Sequence, residues 1–151
     1  MTADDYFSFA LAVMGGFLSF FFGGLDNLLK ALIIFAILDQ ITGVMKGYVL
    51  KEWSSEIGFH GIARKVCMFM LVGMANIVGH ELPILGLGHP ETLRDAIATF
   101  YLATESISII ENAIDLGVPI PAGFKDKFLA WRNKQLNKQL MSKNDPAGEE
   151  D

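Results

Sequence analysis

Cysteine is nearly absent from this chain of 151 residues, in which Cys67 is the only one. A single thiol excludes a disulfide framework within the chain and a zinc site built on several thiolates. We expect Cys67 to serve in apolar packing.

The sequence also lacks the motifs of common catalytic sites. It has no glycine-rich phosphate loop, no HExxH motif, and no Ser or Cys placed beside a His and an acid in a recognised pattern. His80 and His89 flank a glycine-proline link in which Glu81 and Glu91 are the nearest acids, so a metal site is not expected. We therefore predict a protein that is not an enzyme, with no catalytic residue, cofactor, metal or nucleic-acid partner.

Positive charge is missing from the N-terminus, where Asp4 and Asp5 precede the first apolar run. A cleaved secretory signal begins with a basic region, so we expect this run to remain in the mature protein. The run, residues 6–25, has no charged residue across its 20 positions, and as a helix it would be ~30 Å long, enough to span a bilayer.

Apolar residues, by contrast, make up 52% of the chain and include 12 Phe, and the mean hydropathy is +0.38. We predict an all-α integral membrane protein with three or four transmembrane helices in a domain at 1–117, with spans at about 6–25, 27–50, 62–80 and 95–115. A basic amphipathic cytoplasmic helix at 118–143 and a disordered acidic tail at 144–151 would follow. Because so short a chain cannot surround a wide conduit alone, any sizeable pore must be a homo-oligomer.

The basic residues indicate the orientation, since Lys and Arg near the spans favour the cytoplasmic side. Four spans place ten of them on one face and only Lys30 and Arg94 on the other, with both termini inside. A three-span arrangement, in which the first segment lies in the interface, satisfies the same count. We favour four spans because the first segment has no wide polar face. The ten residues are Lys46, Lys51, Arg64, Lys65, Lys125, Lys127, Arg132, Lys134, Lys138 and Lys143.

Polar residues form one-sided stripes on three of the four segments. Acids in a span are costly to expose to lipid, so these stripes are expected to face protein or water, as pore-lining or subunit-contact surfaces. Their members are Asp39, Thr42, Gly43, Lys46, Asn76, Tyr101, Glu105, Ser108 and Asn112.

Small residues recur at helical spacing and predict close helix packing, although such patterns are common in membrane helices. The first segment has two seams, and later segments add single glycines. These residues are Ser8, Ala12, Gly15, Gly16, Ser19, Gly47 and Gly73.

A simpler interpretation of the two acids remains open. Asp39 and Glu105 could be buried ion-pair partners of Lys46 or Arg64 that hold the helices in register and transport nothing. Arg64 and Lys65, at one end of the third segment, can extend to the lipid headgroups and so lengthen its uncharged stretch.

The tail after Pro121 combines aromatic and basic residues in a pattern that is typical of a helix lying on an anionic inner leaflet. A plain solvated helix is the alternative. Phe124, Phe128 and Trp131 fall on one helical face, with basic residues around the rest. The predicted membrane-surface residues are Lys125, Lys127, Phe128, Trp131 and Arg132.

Five stretches in order carry a family resemblance over about residues 22–128: GGLDNLLKALIIF at 23–35, LDQITG at 38–43, SSEIGFHGIARK at 54–65, FYLATESISIIEN at 100–112 and GVPIP at 117–121. The chain resembles the toxin secretion/phage lysis holin family. That family usually has Asp-Tyr where this chain has Asp39-Gln40.

The resemblance implies a homo-oligomer in the bacterial (host) cytoplasmic membrane that abruptly forms large lesions and releases an endolysin or a large toxin, without necessarily touching that cargo. The residues by themselves fit two other classes. One is a small oligomeric ion channel or transporter subunit, in which the acids relay protons or bind a cation. The other is a scaffold whose polar stripes only pair helices.

Overall fold

The computed structural model describes residues 2–52, 54–81 and 91–144, and every regular element in these ranges is an α-helix. Five helices follow one another along the chain: α1 (Ala3–Phe22), α2 (Asn27–Val49), α3 (Ser55–Glu81), α4 (Glu91–Asp115) and α5 (Ala122–Asn144). The prediction of an all-helical chain is confirmed. The link at 82–90 and the acidic tail from 145 onward lie outside the described residues.

Local sequence explains where the first two helices begin and end. The Asp5 carboxylate accepts a hydrogen bond from the Thr2 backbone N–H at 2.6 Å, closing the first turn of α1. Gly23 then adopts a left-handed conformation with φ of 74°, which stops α1 at Phe22, although the apolar run continues to Leu25. Asp26 caps α2 by accepting from the Leu29 backbone N–H at 2.8 Å.

Three helices among the described residues are long and apolar enough to cross a membrane, namely the segments Asp4–Phe22, Asn27–Val49 and Gly58–His80. Helix α4 is not one of them, because acidic and basic residues recur along it, from Arg94 through Glu105 to Glu111. A helix of this kind needs protein neighbours for its polar face if it is to lie at membrane depth.

The chain divides between Ala113 and Ile114 into two compact units. The first contains α1 to α3 and most of α4. Its core is small and apolar, and it lies where α2, α3 and α4 meet, from Leu29, Leu32, Ala36, Met68, Val72 and Ala98. Helix α1 contributes none of these residues, and its spanning window is 0% buried. The second unit contains the end of α4 and α5.

Helix α1 touches the rest of the first unit near its C-terminal end. The Phe21 ring occupies the place where a side chain on Gly73 of α3 would stand, so the glycine allows the two helices to approach closely. Nearer the N-terminus of α1, Gly15 and Gly16 have no neighbouring atom within 4 Å of where a Cβ would lie. The helix is therefore attached at one end.

Candidate functional site: a charged cluster inside the helical bundle

Three charged side chains from three different helices meet inside the first unit. The Lys65 ammonium on α3 donates to the Asp39 carboxylate on α2 at 2.7 Å and also to the Glu105 carboxylate on α4. The side chains of Lys65, Asp39 and Glu105 are 15%, 16% and 11% exposed. One ammonium thus joins two carboxylates that are largely shielded from solvent.

Two neutral side chains extend this charged cluster (Asp39, Lys65 and Glu105) toward the end of α4. The Asn112 amide nitrogen donates to the second carboxylate oxygen of Asp39 and to the Thr42 hydroxyl, each at 3.2 Å. The Thr42 hydroxyl donates in turn to the Asp39 backbone carbonyl at 3.1 Å. Both carboxylate oxygens of Asp39 therefore have a donor, which a buried charge needs to remain in place.

The structure corrects the expected position of Lys65. Its side chain turns inward to the charged cluster and does not extend to the headgroups, whereas the neighbouring Arg64 is exposed. The base that bonds to both acids is Lys65, which the simpler interpretation did not name. Positions on a helix that differ by one are about 100° apart, which is why Lys65 and not Arg64 faces α2 and α4.

A second polar group joins α1 to α3 and α4 at the opposite end of the core. Arg94 of α4 is 3% exposed, pairs with Asp26 and Asp95, and donates to the Phe22 carbonyl at 3.1 Å. The Asn76 amide nitrogen on α3 donates to the Phe20 carbonyl at 3.1 Å. These bonds satisfy carbonyls that the end of α1 would otherwise leave without partners.

A polar cavity of about 320 Å³ lies beside the charged cluster, among the end of α2, the start of α3 and the last turns of α4. Asp39 and Asn112 form part of its wall, together with Gly43, Lys46 and Ser108. A space of this size with several polar partners can hold water. The predicted stripe of α2 therefore borders a polar space already in the single chain.

A larger apolar cavity of about 770 Å³ opens between α1, α2 and α3. Its wall includes Gly15 and Phe17 of α1, Ile33 of α2, and Val66 and Phe69 of α3. In a bilayer such a space is filled by acyl chains or by another apolar helix.

The other residues predicted for packing or pore lining lie at varied depths. Tyr101 packs against the apolar core and is half-buried. Gly47 is half-buried in the wall of the polar cavity. The five residues of the α1 seams are all exposed: Ser8, Ala12, Gly15, Gly16 and Ser19. Whether these positions line a pore or contact other subunits stays a prediction.

In the second unit, α5 carries a row of aromatic rings. Phe124 and Phe128 stack with centroids 6.1 Å apart, and Phe128 lies 5.8 Å from Trp131. Lys125 and Lys127 are exposed, while Arg132 is half-buried with its guanidinium 3.9 Å from the Asp115 carboxylate. The predicted contact of this helix with a membrane surface remains a prediction.

The inward positions of Lys65 and Arg94 were not predicted, although helical spacing indicates both. Lys65 precedes Asn76 by 11 positions, close to three full turns, so the two share a face of α3. Arg94 precedes Ala98 by 4 positions and so begins the polar stripe of α4 one turn earlier.

Comparison with known proteins places the chain in a family. The model of the bacteriophage holin family matches residues 16–133. A probable holin of Bacillus phage phi105 is 34% identical over 119 residues, which is 79% of this chain and 83% of that protein. No solved structure matches the chain.

Bacterial relatives show similar identity. An uncharacterized protein of Listeria monocytogenes is 37% identical over 126 residues, covering 83% of this chain and 86% of its own length. An uncharacterized 14.9 kDa protein encoded in the nagH 3′ region of Clostridium perfringens is 34% identical over 131 residues, covering 87% and 96%. The resemblance carried by the five sequence stretches is confirmed. With its family match and its three long apolar helices, the chain belongs to the bacteriophage holin family and is a membrane protein.

Proposed function

We propose that this protein is a holin that oligomerises in the bacterial cytoplasmic membrane and opens pores large enough to release an endolysin or a large toxin. It crosses the membrane several times with its C-terminus in the cytoplasm. The observation that carries the proposal is the charged cluster of Asp39, Lys65 and Glu105, held between three helices of a single chain.

The charged cluster explains how one sequence could exist in a closed and an open form. In the closed form Lys65 pairs with both carboxylates inside the bundle, so a single chain can remain in the membrane without conducting. Burying each ion costs several kcal/mol, and that cost disappears when the ion reaches water. Assembly that parts the helices would place these side chains on an aqueous lumen.

The distribution of apolar surface is consistent with assembly through α1. This helix is exposed along its spanning window, and its small residues would permit close approach of a neighbouring helix. The partner is a further copy of the chain. No direct contact with the released enzyme is required.

Asp39→Leu tests the proposal in cells that also produce a cytoplasmic muralytic enzyme. We expect the variant to insert in the membrane but to lose or retime enzyme release, because Lys65 keeps only Glu105 and Asn112 loses a carboxylate acceptor. Culture turbidity and membrane potential report lysis and depolarisation. Glu56→Leu, which removes an exposed acid at the start of α3, is the control.

Release kinetics of Asp39→Leu that match both the control and the unchanged protein would reject this role for the acid. The polar cavity beside Asp39 favours one second candidate, a small ion channel, since it brings polar groups next to a buried carboxylate. Depolarisation without enzyme escape would select the channel.

A further inference from the structure

We propose that Lys65 is the latch of the closed state: its ammonium sets the time of opening by holding the carboxylates of Asp39 and Glu105 together. This inference rests on the proposed function, since it concerns when the same bundle opens. Lys65 acts through the two acids and is a positioning residue.

The connectivity of the charged cluster supports this role. Lys65 is on α3, Asp39 on α2 and Glu105 on α4, so a single side chain makes ion pairs to both neighbouring helices. Along the chain, Lys65 lies 26 positions after Asp39 and 40 positions before Glu105, so both ion pairs join distant parts of the sequence. Removing the ammonium therefore removes both ion pairs at once.

The charge balance of the charged cluster predicts that loss of the base and loss of either acid have opposite effects on opening. With all three groups ionised, two carboxylates share one ammonium and one negative charge is left over. Loss of the ammonium leaves two shielded acids that repel each other, which favours parting of the helices. Loss of one carboxylate leaves a neutral pair, which favours the closed bundle.

The surroundings of the charged cluster leave a route by which water can reach it. The polar cavity borders Asp39 on one side, with Ser108 and Glu52 also in its wall. Toward the opposite end of the helices, the core residues Leu32, Val72 and Ala98 are each at most 2% exposed. The charged cluster thus stands between a polar space and an apolar layer, where a separation of helices would extend water into the bundle.

The test compares lysis onset for Lys65→Met, Lys65→Arg and Glu105→Gln at equal protein levels in the membrane, with the co-expressed muralytic enzyme. We expect Lys65→Met to shift onset earlier and Glu105→Gln to shift it later. Lys65→Arg should stay near the original onset, because a guanidinium can also bond two carboxylates. Lys30→Met, which removes an exposed base of α2 outside both the charged cluster and the polar cavity, should leave onset unchanged.

Opposite shifts are the diagnostic result, because residues that merely stabilise the fold would change onset in one direction when altered. Shifts of the same sign for Lys65→Met and Glu105→Gln, or a Lys30→Met effect equal to that of Lys65→Met, would overturn the inference. If Lys65→Met does not accumulate, Glu105→Gln and Asp39→Asn decide the question. Both must delay onset, and unchanged or earlier onset in either one overturns the inference.

A labelling experiment separates this inference from the proposed function. Ala98→Cys is placed in the apolar layer in a Cys67→Ala background, in full-length protein in membrane vesicles, and treated with a water-soluble thiol reagent. We expect Lys65→Met to increase labelling at position 98, whether or not the protein releases an enzyme. Unchanged labelling would reject the inference that Lys65 holds the bundle closed. Failure of the unaltered protein to release any enzyme would reject the proposed function alone.

Discussion

At the scale of single residues, the packing of α1 against α3 depends on Gly73. The Phe21 ring of α1 fills the space that a methyl group at this position would occupy. This packing adds van der Waals contact to the hydrogen bond that Asn76 of α3 donates to the Phe20 carbonyl of α1. A glycine of α1 that faces open space, such as Gly15, has no comparable role within one chain.

Gly73→Ala should therefore displace Phe21 and weaken the attachment of α1, at a cost of about 1 to 3 kcal/mol. The matched change Gly15→Ala meets no atom within 4 Å and should be neutral or slightly stabilising, since alanine favours a helix over glycine. Thermal unfolding midpoints of the two purified variants in detergent measure the difference. Equal midpoints would show that the close contact contributes nothing.

Arg94 is the residue whose role in the sequence differs most from its role in the structure. The distribution of Lys and Arg placed it among the two bases expected on the non-cytoplasmic side of the membrane. In the structure its side chain is buried and donates to the Phe22 carbonyl, the last of α1. The stripe of α4 predicts that Arg94 faces the bundle, because it lies one turn before Ala98. Its pairing with Asp26 could not be predicted, because that contact depends on how the loop after α1 returns the chain to α2.

Arg94→Met should release the end of α1, because the Phe22 carbonyl loses a charged donor and Asp26 loses its partner. A hydrogen bond to a charged group contributes about 2 kcal/mol. Spin labels at Leu11 and Leu71 in a Cys67→Ala background should give a broader distance distribution in this variant. Lys30→Met, which removes the exposed base of the same face, should leave the distribution narrow.

At the scale of helices, hydropathy predicted most of the architecture. The first three apolar segments correspond to helices that can span a membrane, and α4 is a helix over Glu91–Asp115. Hydropathy could not predict which helices pack against one another. Small-residue seams predicted that α1 packs closely, whereas in the single chain only its end does so.

Helix α5 differs from the others in composition, with basic residues around a row of aromatic rings. This composition is the basis of the predicted contact with an anionic surface, to which apolar burial and charge attraction would both contribute. A peptide of residues 118–144 should bind vesicles that contain phosphatidylglycerol and shift the Trp131 fluorescence to shorter wavelength. Binding should weaken as salt rises, since salt screens the basic residues.

Phe128→Ser should reduce this binding, because it removes the ring that contacts both neighbouring aromatic side chains. Leu136→Ser changes an exposed apolar residue outside that row and serves as the control. Equal binding to neutral and anionic vesicles would contradict a role for the basic residues. Absence of binding to either would favour the plain solvated helix.

At the scale of the whole molecule, the polar residues of three helices are already in contact before any assembly. The stripes that contain Asp39, Glu105 and Asn112 were expected to face protein or water. In the structure Lys65 joins Asp39 to Glu105, and Asn112 donates directly to Asp39. The sequence could indicate that these faces avoid lipid, because each acid is costly there. It could not indicate whether they face their own chain or a neighbouring copy, because the polar stripe is kept away from lipid in both arrangements.

In the proposed closed state, the polar face of each subunit is turned inward, and in the open assembly it is turned to water. Two neighbouring residues of α4 distinguish these states. Tyr101 is half-buried against the core, and Phe100 beside it is 66% exposed on the outer surface. A change from closed to open should therefore affect Tyr101 and leave Phe100 against lipid.

The most direct test follows thiol labelling at these two positions through the moment of lysis, with Tyr101→Cys and Phe100→Cys each in a Cys67→Ala background. We predict that a membrane-impermeant reagent labels Tyr101→Cys slowly before lysis and rapidly once enzyme release begins, while Phe100→Cys stays unlabelled throughout. Labelling of Tyr101→Cys that remains as slow after release as before would contradict the account.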